Sequence, residues 1–190
     1  MSNACAVTLD GRNTSVAFAV RWWGLLTVRG QFEDVSGELI IPNGDISTAT
    51  MRLDVDAESV RTGIALRDRH LRGPQFLDAA RYPRITFSST RVERVDGAIT
   101  VTGHLSLRGA QRVIVARCPL GYAEGEGIGS TVAMDSTVEI PRLPHGVGSA
   151  EGMQRLNPLL AAIGDRVMVS VRVLVPASRL LPALLPALGR

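Results

Sequence analysis

Lysine is absent from the chain: all 21 basic side chains are arginine, set against 18 aspartates and glutamates, for a formal net charge of +3. Arginine keeps its charge at any working pH and favours bidentate pairing with carboxylate or phosphate. Aromatic residues are scarce as well, at 4%. The arginines are scattered rather than clustered, with no stacking strip beside them, so a pI near 9.5 does not argue for nucleic acid. Cysteine is limited to Cys5 and Cys118, in neither a C-x-x-C nor a metal-ligand spacing. The opening MSNACAVTLDG has no basic segment and no apolar segment of the kind a secretory signal needs. The expected compartment is therefore the reducing cytoplasm, with both cysteines as thiols. No apolar run approaches the ~20 residues of a membrane-spanning helix.

The motifs of common catalysis are missing too. The three histidines are His70, His104 and His145, and no H-E-x-x-H or comparable spacing gathers them into a metal site. His104 falls opposite the apolar face of its segment and reads as a solvent-facing strand residue. His145 reads as a loop residue at the rim. There is no G-x-S-x-G elbow, no G-x-x-x-x-G-K-[ST] loop and no strand followed by G-x-G-x-x-G. The glycines of YAEGEGIG accompany two glutamates that would repel phosphate. These absences lead to no catalytic residue, no metal and no cofactor, and the chain is not expected to be an enzyme.

What the chain has is alternation. Thr14 to Val20, Leu26 to Phe32, Gly37 to Ile41, Thr48 to Val55, Ile85 to Val92, Ala98 to Leu107, Arg112 to Pro119, Thr131 to Ile140 and Val167 to Val175 read as strands, most of them with the two-residue apolar period of a half-buried strand; the period is shortest over Ile85 to Val92, where it passes through Ile85, Phe87 and Ser89. Asp10-Gly11, Pro42-Asn43-Gly44-Asp45 and Asp96-Gly97 are turn signals between them. Trp22-Trp23 predicts a bend that sends two rings to opposite faces. A helix is predicted from Ile64 to Leu71, a helical turn over Asp78 to Arg81, a mobile loop over Gly121 to Gly129 and a short helix from Met153 to Ile163. Even strand spacing without βαβ units favours an antiparallel barrel. With 190 residues and 45% hydrophobic content, one domain is expected. It would span residues 1–176, leaving 177–190 as an apolar tail whose Pro182 and Pro186 interrupt any continuous helix.

The segment from Arg61 to Phe87 interrupts this pattern. Its TG...LRDRHLRGPQFLDAARYPRITF resembles the central signature of the YceI-like family. SVAFAV at Ser15 to Val20, VRGQF at Val28 to Phe32, VTGHLSLRG at Val101 to Gly109 and IPRLPHGVG at Ile140 to Gly148 resemble further motifs of that family, in the same order. The resemblance runs from Leu9 to Val175. It implies an all-β fold, a single eight-stranded lipocalin-like antiparallel barrel with a short helical insertion, holding a long isoprenoid chain in its interior.

The inward faces read from alternation place Val16, Phe18, Val20, Met51, Leu53, Val55, Ile85, Phe87, Val101, Leu105, Met134, Val138, Ile140, Val169 and Val171 around that interior. A lining so poor in rings suits a flexible aliphatic chain, although a solid core of the same residues fits the pattern equally. At the mouth, Arg67, Arg69 and Arg142 are the cations a diphosphate head would need, with Asp68 and His70 orienting them. The expected function is non-enzymatic binding, sequestration or transport of a long-chain isoprenoid lipid. The alternatives are a lipid-modifying enzyme using Asp68 and His70 as an acid–base pair, or an interaction scaffold without ligand. Transient membrane contact through the tail and homodimerisation through apolar strand faces or the tail are both compatible with the sequence.

Overall fold

Strand alternation dictates most of the architecture. The computed structural model describes residues 5–124, 131–148, 162–178 and 180. Among them the chain forms β1 (Cys5–Asp10), β2 (Thr14–Trp22), β3 (Leu26–Phe32), β4 (Val35–Ile41), β5 (Thr50–Asp56), β6 (Val60–Arg61), α1 (Ala65–Arg72), β7 (Arg84–Val95), β8 (Ala98–Leu107), β9 (Ala110–Glu124), β10 (Thr131–Pro141) and β11 (Ile163–Pro176). Every pairing is antiparallel, in the order β1-β4-β5-β7-β8-β9-β10-β11-β2-β3-β6. No helix among the described residues is long and apolar enough to cross a membrane.

The all-β class, the antiparallel sheet and the helical insertion match the expectation from sequence. The closed eight-stranded barrel does not: the sheet has eleven strands, and its ladder ends at β1 on one side and β6 on the other. The physical reason lies in the connections between strands. At Gly11–Asn13 and again at Glu33–Asp34, the chain leaves one end of the ladder and continues at the other. The seam is thus bridged covalently, while the backbone bonds Glu33 N–H to Ser59 O (3.2 Å) and Asp56 N–H to Asp34 O (3.0 Å) extend the β3–β6 and β4–β5 pairings on either side of it. Terminal strand β1 and the two-residue β6 also supply strands that alternation did not reveal.

Local chemistry sets the hairpins. Asp96-Gly97 and Arg108-Gly109 each place two consecutive residues at positive φ, the backbone that matches the right-handed twist of the flanking strands. Other boundaries shift from their expected places. The helix runs Ala65–Arg72, β5 starts at Thr50 behind a 3₁₀ turn at Ile46–Thr48, and β7 extends to Val95. The segment read as a loop from Gly121 begins as strand, because β9 stays paired with β10 as far as Glu124 opposite Thr131. Of the helix expected over Met153 to Ile163, Ile163 already belongs to β11, and residues 153–161 lie outside the described residues.

The tightest packing joins Val7 and Leu9 of β1, Leu39 and Ile41 of β4, Ile99 of β8 and Val175 of β11. Ala177 and Leu180 belong to the same cluster, so the C-terminal apolar residues begin inside the core. Within the sheet, Gly103 of β8 makes room for a ring. A Cβ there would stand 2.5 Å from both Phe87 Cζ and Ser88 O. Because the second contact is backbone, it cannot be relieved by a rotamer change. Gly103→Ala is expected to destabilise the protein by about 1–3 kcal/mol, an overpacking cost, read as a lowered denaturant midpoint at unchanged slope.

Candidate functional site

The inner faces of the strands do not meet across the whole sheet. They enclose a cavity of about 620 Å³, to which β1 to β11, α1 and the Gln75–Leu77 segment all contribute side chains. Each apolar residue expected from alternation to face inward, from Val16 to Val171, lies on its wall. Their inward direction follows from the two-residue period. Phe18 and Phe32 meet there with ring centroids 5.7 Å apart.

Several wall residues escaped the sequence reading: Trp22, Val28, Phe32, Leu71, Phe76 and Ile163. Trp22 was legible in principle, since it continues the series Val16, Phe18, Val20. Its neighbour Trp23 leaves on the other side into solvent, as the bend at this pair required. Polar atoms are few. Cys118 and Ser136 lie side by side on the wall, and burial pushes the Cys118 thiol pKa up, so it stays a neutral thiol.

The expected mouth residues divide into separate groups. Arg67 and His70 of α1 reach the cavity; Asp68 and Arg69 do not line it. Asp68 is buried and accepts from Thr62 N–H at 2.8 Å and from the Thr62 hydroxyl. Arg67 donates through Nε to Thr62 Oγ1 (2.8 Å) and through Nη2 to Thr62 O (2.9 Å). Thr62 therefore relays the buried carboxylate to the guanidinium and fixes Arg67 at the cavity edge. Arg69 is exposed. Asp68 and His70 sit two positions apart on α1, so they project from different sides of the helix, and no hydrogen bond joins them.

Arg142 also touches the cavity, yet its donors are committed. Nε bonds Gly164 O (2.9 Å), Nη1 bonds Val147 O (2.9 Å) and Gly148 O (3.2 Å), and Nη2 bonds Ile163 O (2.9 Å). Asp165 Oδ1 stands 3.5 Å from Nη2 and offsets part of the burial that lowers the guanidinium pKa. Arg142 is 3% exposed. It is a tie between the Arg142–Gly148 loop and the start of β11, and a head group would find no free donor on it. Arg108, which the sequence reading passed over, does similar work. It donates to Gln75 O (3.5 Å), Pro74 O (2.6 Å) and Gly146 O, clamping the two loops together.

His145, expected as a loop residue at the rim, ends the 3₁₀ turn Leu143–His145 and is 2% exposed. Burial pushes its imidazole below the ordinary value of 6.5; the carbonyls of Ala110 and Leu107 oppose this, and the Arg112 charge adds to it. The unfolded chain therefore takes up a proton at higher pH than the folded protein does. Stability is complete above about pH 6.5 and falls as pH drops from there through the lowered folded value. His145→Phe should remove this part of the acid sensitivity. The gap between wild-type and variant melting temperatures should widen in the variant's favour from about pH 7 to about pH 5. His104 sits half-buried on the outer face of β8, between the buried Gly103 and Leu105.

Comparison with known proteins agrees with this geometry. Burkholderia cenocepacia BcnA superposes with a TM-score of 0.73 at 18% identity, covering 85% of this chain and 96% of that one. A polyisoprenoid-binding domain from Saccharophagus degradans, implicated in plant cell wall breakdown, gives 0.62 at 19% identity, covering 89% and 96%. In sequence, a UPF0312 protein of Vibrio campbellii is 30% identical over 151 residues, 74% of this chain and 80% of its own length. The YceI protein of Salmonella arizonae is 30% identical over 111 residues, 58% of each chain. The YceI-like domain profile matches residues 7–175, so the chain belongs to the YceI-like family.

Proposed function

We propose that the cavity binds a long aliphatic lipid, specifically an isoprenoid chain, and that the protein sequesters or carries it without making or breaking bonds. The observation that carries this reading is the wall: about 620 Å³ enclosed almost wholly by Val, Leu, Ile, Met and Phe side chains. That size falls within the ~300–1,000 Å³ of small-molecule pockets. Each methylene transferred from water into it contributes roughly 0.8 kcal/mol. The likeness to a domain described as polyisoprenoid-binding supports the choice of ligand class.

Arg67 is the cation placed to meet a polar head, since Thr62 aims it and its Nη1 has no hydrogen-bond partner among the described residues. His70 stands beside it at the same edge. The enzyme reading loses support, because Asp68 is engaged with Thr62 rather than His70.

Native mass spectrometry of the purified protein, followed by solvent extraction, tests the proposal. Stoichiometric isoprenoid, or uptake of added polyprenyl lipid to one per chain, is expected. A protein that is empty and also refuses added lipid would overturn it.

A further inference from the structure

The turn joining β2 to β3 is the most exposed apolar feature among the described residues. Trp23 is 61% exposed, Leu25 91% and Leu26 58%. Local structure holds these side chains outward. Trp23 takes φ 55° and is tethered through its N–H to Ala162 O at 2.8 Å, while Leu25 N–H bonds Trp22 O at 3.3 Å. Three large apolar side chains on a fixed turn are costly to leave in water unless something covers them.

Two further observations identify what fits. The first is charge. From Gly11 to Phe32 the sequence has no aspartate or glutamate, while Arg21 and Arg29 are exposed on the hairpin. The register sets Arg21 opposite Thr27 and Arg29 opposite Ala19, so both arginines lie on the outer face of the same two strands. Neither forms an ion pair among the described residues. Trp and Leu at a tip, with arginines set back along the strands, match the layers of an anionic bilayer surface: ring and aliphatic groups at the acyl boundary, cations among the phosphates. The second observation is position. Trp22, adjacent to Trp23, lines the cavity, as does Val28 on the other arm of the hairpin. The tip and the cavity wall are one piece of chain.

We infer that the β2–β3 turn is a membrane-docking element, which seats Trp23, Leu25 and Leu26 in an anionic lipid surface and brings the cavity to its ligand's source. The inference rests on the lipid-binding reading for its purpose, but docking is measurable whether or not the cavity is filled.

The experiment is co-sedimentation with vesicles of phosphatidylcholine, alone or mixed with phosphatidylglycerol, using the full chain. The wild type should bind the mixed vesicles and release them at high salt. A Trp23→Ser/Leu25→Ser variant should bind at least tenfold more weakly. Arg21→Gln/Arg29→Gln should weaken binding and flatten its salt dependence while leaving the tip intact. A parallel uptake assay from detergent micelles, with no bilayer present, separates the two readings: the turn variants should load polyprenyl lipid as the wild type does. Wild-type protein that ignores mixed vesicles would overturn the inference. So would turn variants that still sediment fully. Concentration-dependent dimerisation abolished by the same variants, without vesicle binding, would also overturn it by assigning the tip to a second copy of the chain.

Discussion

Replacing Val138 and Val169 together by phenylalanine should lower polyprenyl uptake by about a hundredfold while leaving the protein folded. The two residues face each other across β10 and β11, and both line the cavity. Both are only partly buried, so the added rings enter empty space rather than packed core. Excluding about four methylenes of ligand forfeits roughly 3 kcal/mol, which corresponds to the stated factor. Titration with a fluorescent polyprenyl analogue, alongside a thermal melt, measures both quantities. A cavity already filled by side chains would give the opposite signature. There the wild type would take up nothing, and the two rings would cost about 1–3 kcal/mol of stability through overpacking.

Arg142→Met should destabilise the protein by about 3–5 kcal/mol, since a buried polar group left without its hydrogen bond costs about 1–3 kcal/mol and several are affected. The carbonyls of Val147, Gly148, Ile163 and Gly164 would all lose their donor at once. Arg142→Lys should recover little of this, because an ammonium is a point donor on a flexible stem and cannot reach carbonyls spread around a planar fork. Urea unfolding of both variants checks the expectation. A Lys variant as stable as the wild type would show that charge, rather than the fork geometry, holds the loop. Weakened lipid uptake in a fully stable Met variant would instead return Arg142 to the ligand.

These two residue sets mark how far sequence alone could reach. Val138 and Val169 were legible because a strand writes its inward face into a local, two-residue rhythm, and that rhythm survives in any sheet. Whether the inward residues close on one another or leave a space is set by strand number, curvature and stagger, none of which is local. Arg142 illustrates the opposite case. Its type and position suggested a cation for a head group, but its partners are backbone carbonyls, whose positions only the folded loops define. His145 escaped for the same reason, since burial depends on what packs over the turn. The two strands that the sequence reading missed, β1 and β6, failed differently: β1 alternates only through Val7 and Leu9 in six residues, and β6 has two residues, too few to show a period. The overturned barrel closure also belongs here. Corners at Gly11–Asn13 and Glu33–Asp34 read as ordinary turns until the ladder order shows that each one crosses the seam.

The pairing of β2 with β11 sets a timetable. Ala17 lies opposite Ser170, so β2 must wait for a strand made much later in synthesis. Hairpins such as β7–β8 and β8–β9 can zip as they emerge, whereas the β2–β11 ladder carries the loop-closure cost of every element between them. Until β11 arrives, the space bounded by Phe18 and Val169 has no wall on that side, and a lipid held there would face water. The cavity is therefore complete only once the β2–β11 ladder has formed. Pulsed hydrogen exchange during refolding should show the β2 amides that bond to β11, rather than those that bond to β3, gaining protection no earlier than the amides of β11.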